Sequence, residues 1–80
     1  MAKTHGFNGK AYPHIKVFNG KRYQYTTGER SKAEAIAYSK MLKQMGRSVR
    51  MVNAGAFGPR NTAYVLYSRL KGNKYEMSGV

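Results

Sequence analysis

The chain contains no cysteine, no tryptophan and no aspartate, and its only carboxylate side chains are Glu29, Glu34 and Glu76. Each absence removes a class of function. Without thiols there is no disulfide scaffold, thiolate zinc site, redox motif or cysteine nucleophile, so a packed core must hold the fold unaided. With three carboxylates, two-carboxylate hydrolysis and carboxylate-bound magnesium have almost no material to work with. His5 and His14 are the only histidines, and no Cys or Asp supports them, so no metal or cofactor is expected. Long apolar runs are also missing. No stretch approaches the roughly 18 residues of a membrane span, and the start lacks the apolar segment of a secretory signal. The expectation is a soluble cytoplasmic protein with no membrane partner and no small-molecule substrate.

Bases, by contrast, are abundant. Fifteen Lys and Arg give a formal net charge of +12 and a pI near 10.3, yet 41% of the residues are hydrophobic. That is too much apolar material for a disordered basic tail, so the chain should fold. Its 80 residues allow one domain, and a chain of this size buries only about 60% of the surface its unfolded form exposes. Charge this lopsided resists compaction through self-repulsion, which points to a polyanionic partner.

Residues 1 to 11 read as a flexible N-terminal arm, with Phe7 its only large apolar side chain. The string Phe7-Asn8-Gly9-Lys10-Ala11-Tyr12 is echoed by Phe18-Asn19-Gly20-Lys21-Arg22-Tyr23, and Asn-Gly followed by Lys signals a hairpin. The second copy lies between two runs of strand-forming residues, 14 to 17 and 21 to 27, with Pro13 suited to a strand start or an edge. A three-residue loop there pairs Val17 with Lys21 and Ile15 with Tyr23. One face then carries Ile15, Val17, Tyr23 and Tyr25, and the other His14, Lys16, Arg22, Gln24 and Thr26, whereas a two-residue loop mixes apolar and basic residues.

A helix is predicted over 32 to 45, opened by a Ser31 and Glu34 capping box and closed by Gly46. Tyr38, Met41, Leu42 and Met45 form its apolar stripe with Ala35 and Ala37 beside them, and Lys32, Lys40 and Lys43 lie opposite, with Ile36 among them. A third strand carries Val49 and Met51 alternating against Ser48, Arg50 and Val52. Residues 53 to 61 read as a long Gly- and Pro-marked loop, and 62 to 69 as a fourth strand apolar on both sides. Beyond residue 70 lies a C-terminal tail in which Tyr75-Glu76-Met77 reads as a short edge strand. The fold class is therefore α+β: a single ββαββ domain over residues 12 to 70, with an antiparallel sheet, one amphipathic helix on one face and an open basic face.

That open face is the main candidate site. His14, Lys16, Arg22, Gln24, Thr26, Arg50 and Arg69, together with Arg60 in the loop, are the expected nucleic-acid-binding residues, since Arg and Gln can read base edges and Lys suits phosphate. The competing meaning of such a pattern is an ordinary solvated strand face with edge-guarding lysines. Tyr23, Tyr25 and Tyr38 are placed in the core, while Tyr12, Tyr64, Tyr67 and Tyr75 remain available for stacking on bases. No family signature stands out. The function expected is non-catalytic nucleic-acid binding, DNA before RNA, with a nucleoid association if DNA is the partner. An RNA-binding or ribosome-associated protein is the alternative. A small toxin-like ribonuclease working through His, Lys, Arg and Tyr is the lesser one.

Overall fold

The computed structural model describes residues 3–70. Two hairpins open the chain, β1 (Thr4–Phe7) with β2 (Lys10–Pro13) and β3 (Ile15–Phe18) with β4 (Lys21–Glu29); α1 (Lys32–Gln44), β5 (Arg47–Phe57) and β6 (Asn61–Leu70) follow. From β3 onward the order is the ββαββ expected, and the domain is α+β. The larger sheet runs β3-β4-β6-β5, antiparallel throughout, and β1-β2 forms a separate two-stranded sheet.

The sequence echo is a structural repeat. Asn8 and Gly9 have φ of 51° and 79°, and Asn19 and Gly20 have 52° and 76°, the paired left-handed conformations that a two-residue type I′ hairpin turn requires. The N-terminal arm is thus a hairpin from Thr4. The same geometry corrects the register of the second copy, because Phe18 pairs with Lys21, Val17 with Arg22 and Ile15 with Gln24. Separating apolar from basic residues misled because the apolar pair Ile15 and Val17 is not core: Val17 is 58% exposed. The core side of the hairpin is instead the one with Phe18, Tyr23 and Tyr25.

Both faces of the larger sheet are therefore used. On one, Tyr23, Ala54, Ala63, Val65 and Tyr67 are buried, with Phe7, Tyr12, Phe18, Tyr25, Val52 and Phe57 packed around them; the β1-β2 hairpin covers part of this face. On the other, Leu66 meets Ala35 and Leu42 of α1, flanked by Tyr38, Val49, Met51 and Tyr64. The ambiguous facing of the fourth strand is resolved by its place: β6 is central, and Val65, Leu66, Tyr67 and Ser68 are all fully buried.

The Ser31 hydroxyl accepts from the Glu34 N–H at the start of α1, and Gly46 takes φ 83° just past its end. The buried stripe is narrower than periodicity implied. Ala35, Ser39 and Leu42 are buried, whereas Met45 is 63% exposed and Met41 is exposed with it. Residues 53 to 57 are not a loop: β5 continues through a bulge between Asn53 and Ala56, and a short turn at 58 to 60 returns the chain to β6. The tail expected beyond residue 70, with its short edge strand, lies outside the described residues.

Candidate functional site

The register brings one end of the sheet together from four strands. Gln24 pairs with Ser68 and Ser68 with Val49; beyond them lie Arg22, Leu70 and Arg47. Lys16, Lys21, Arg22, Arg47, Arg50 and Arg69 all belong to this end. The far end holds the two described carboxylates, Glu29 opposite Tyr64 on β6 and Glu34 in the first turn of α1. Four cations, Lys10, Arg30, Lys32 and Arg60, share that far end, so positive charge is less compensated at the other.

Alternation divides the basic end between two faces. On the face shared with the N-terminal hairpin, the Arg50 guanidinium lies 5.7 Å from the Phe18 ring centre and 6.0 Å from that of Tyr23; Arg69 lies 5.9 Å from Tyr23, and the Lys16 ammonium 5.8 Å from Phe18. Phe18 meets Tyr23 edge-on at 5.2 Å. Cations within about 6 Å of a ring are attracted by its quadrupole, so these aromatics hold the basic side chains over a half-buried apolar floor. On the helix-bearing face, Arg22, Gln24, Arg47, Ser68, Arg69 and Leu70 line an open cleft of about 300 Å³.

The expected site residues are thus dispersed. Lys16, Arg50 and Arg69 share one face, Arg22 and Gln24 the other, because the two-residue turn sets Arg22 beside Val17 and Lys16 beside Tyr23. Thr26 sits at a bulge in β4, its hydroxyl 2.6 Å from that of Ser68. His14 is half-buried, with Nδ1 2.9 Å from His5 Nε2, and His5 stacks on Tyr25 at 4.2 Å. Two imidazoles joined in this way need one donor and one acceptor, so His14 serves to dock the hairpin. Arg60 stands in the β5-β6 turn at the far end. Of the tyrosines left available for stacking, Tyr67 is fully buried with its hydroxyl donating to Pro13 O at 2.6 Å, the Tyr12 hydroxyl is buried without a hydrogen-bond partner, and Tyr64 packs under the helix. Burial pushes the Tyr67 phenol above its ordinary range, reinforced by Tyr25 and Tyr12, and burial does the same to Tyr25.

Arg47 was not singled out by the sequence, because it was read as lying between helix and strand. Its Nε donates to Ser68 Oγ at 2.9 Å. Phe18 was likewise assigned to the turn rather than to the surface. A two-residue turn at Asn19-Gly20, the commoner form for this dipeptide, would have found it.

Among the described residues no group of three metal-ligating side chains is found, and no helix is long and apolar enough to cross a membrane. No family model, curated protein or solved structure matches the chain. The site must be judged on its own chemistry.

Proposed function

We propose that the protein is a non-catalytic nucleic-acid-binding module that engages duplex DNA with the basic end of its sheet. One observation carries this reading: Lys16, Lys21, Arg22, Arg47, Arg50 and Arg69 gather at that end on both faces, while Glu29 and Glu34 lie at the other. A sheet with side chains on either side is on the order of 10 Å thick, and the B-DNA major groove is about 12 Å wide between its phosphate walls. With α1 packed on one face and the N-terminal hairpin on the other, only the rim of this end approaches such a space, and its cations on either face would each meet one row of phosphates. The deep, narrow major groove of A-form RNA offers no such insertion. On this reading the protein works wherever DNA is held, the cytoplasmic nucleoid in a cell without a nucleus.

Phe18 favours a second reading. A half-buried ring with Lys16 and Arg50 over it is suited to stacking a base of a single strand, RNA included. A binder is preferred to a ribonuclease because His14, the histidine nearest the basic strands, has a ring nitrogen occupied by His5.

Titration of the chain against duplex DNA, single-stranded DNA and structured RNA of matched length, at several salt concentrations, separates the readings. Duplex DNA should bind tightest, with a log-log salt slope of about −4 to −6 for five or six phosphates contacted. Preference for single strands would favour the Phe18 platform, and a flat salt response would remove both readings.

A further inference from the structure

We infer that the cleft lined by Arg22, Gln24 and Arg47 is a dedicated site for one phosphate group, in which Arg47 presents a prealigned guanidinium fork. This deepens the nucleic-acid reading and rests on it for the source of the phosphate.

Thr26 Oγ1 donates to the Gln24 carbonyl at 3.2 Å and lies 2.6 Å from Ser68 Oγ. A hydroxyl has one proton, so the proton in the Thr26–Ser68 bond comes from Ser68. Ser68 Oγ is then left as an acceptor, and Arg47 Nε donates to it at 2.9 Å. The chain runs in one direction, from Arg47 Nε–H to Ser68 O–H to Thr26 O–H to the Gln24 carbonyl. Ser68 itself has 0% exposure, so its hydroxyl is shielded, while the Thr26–Gln24 bond at the end of the chain is exposed.

The consequence is a guanidinium fixed through Nε. Among the described residues nothing accepts from its two Nη groups, and Arg47 lines a cleft whose other polar walls are Arg22, Gln24, Ser68 and Arg69. A planar pair of donors matches two oxygens of a phosphate, and such bidentate bonds are strong and geometrically specific. Arg22 supplies a second positive charge and the Gln24 amide a neutral donor. Both described carboxylates lie at the opposite end of the sheet, so no acidic side chain of the described residues competes for the position. Ligand carboxylates share this planar geometry, but a lining with three guanidinium charges, Arg69 included, suits an anion with more oxygens and more charge. A phosphate within a nucleic-acid backbone and a free phosphate ester present the same group.

The test uses the full chain and two charge-preserving variants, Arg47→Lys and Arg22→Lys. Inorganic phosphate is titrated while the arginine Nε–H resonances are followed by NMR, and duplex DNA binding is measured separately at several salt concentrations. The proposal expects phosphate to shift the Arg47 and Arg22 resonances, and each Lys variant to weaken duplex binding about tenfold with an unchanged salt slope, because charge is kept and only the fork is lost. If duplex DNA binds and both variants retain wild-type affinity, with no phosphate-induced shift, the cleft is overturned while the nucleic-acid reading stands. Weakened duplex binding without a phosphate-induced shift also overturns it, since Arg47 would then contact something other than phosphate. A phosphate-induced shift in a protein that binds no nucleic acid would support the cleft as a site for free phosphate esters and remove the function proposed above.

Discussion

Tyr67 shows how much one side chain decides. It is fully buried in the central strand, it meets Tyr25 and Phe18 edge-on, and its hydroxyl ties β6 to Pro13 at the end of the N-terminal hairpin. Burial, with Tyr25 and Tyr12 nearby, raises its ionisation above the ordinary 10.0. The folded state thus holds the phenolic proton more tightly than the unfolded state does. The resulting stability is complete below about pH 10 and is lost as pH rises through the folded-state value. Tyr67→Phe should cost about 1 kcal/mol at neutral pH, the net value of one hydrogen bond, and should flatten the decline above pH 10, read from urea midpoints at increasing pH. An undiminished alkaline slope in the variant would assign the effect to other groups. The sequence left Tyr67 open because neighbours on both sides of its strand are apolar. Strand alternation identifies two faces but not which is covered, and here both are.

At the scale of elements, what was legible depended on how local the signal is. The Ser31 cap, the Gly46 stop and the turn at Asn19-Gly20 are set by neighbouring backbone, and their positions could be read directly, whereas the turn at Asn8-Gly9 falls in what reads as a flexible arm because no strand-like run precedes it. The hairpin register could not be deduced from polarity, because Lys16 sits opposite Tyr23 with its ammonium 5.8 Å from the Phe18 ring centre, while Ile15 and Val17 stay exposed. The docking of β1-β2 was invisible for another reason: it depends on residues far apart in the chain. Asn8 donates to the Ala54 and Ala56 carbonyls at 2.8 and 3.0 Å, where the β5 bulge turns them outward, and Phe7 lies flat against Gly28. A Cβ at Gly28 would come within 2.6 Å of the Phe7 ring, closer than any packed contact. Gly28→Ala should therefore lift the hairpin, costing about 1 to 3 kcal/mol as an overpacked site does, with hydrogen exchange accelerating over residues 4 to 13 while β6 stays protected. Unchanged exchange in the hairpin would show that Phe7 does not anchor it. The buried, unpartnered Tyr12 hydroxyl opposes docking by about 1 to 3 kcal/mol.

For the whole molecule, the excess of positive charge raised the expectation of a polyanion partner, and the topology places that charge. The net +12 gave no direction, since cations are scattered along the chain and only strand order collects Lys16, Arg22, Arg47, Arg50 and Arg69 at one end. The expectation of a single open basic face is corrected in its arrangement, because one register step puts Lys16 and Arg22 on opposite faces of the sheet. The central claim is that this end, on both faces, is where nucleic acid binds. The most direct test compares two double variants that remove equal charge: Arg22→Ala with Arg50→Ala at the basic end, and Lys10→Ala with Arg60→Ala at the far end. Both are to be checked for folding by circular dichroism, and their duplex DNA affinity measured by fluorescence anisotropy at about 0.1 M salt, where screening acts within about 10 Å. The Arg22/Arg50 pair should lose at least about tenfold more affinity, since two direct guanidinium contacts contribute about 1 to 3 kcal/mol each. Equal losses in the two proteins, or a larger loss for Lys10/Arg60, would contradict a binding surface at the basic end.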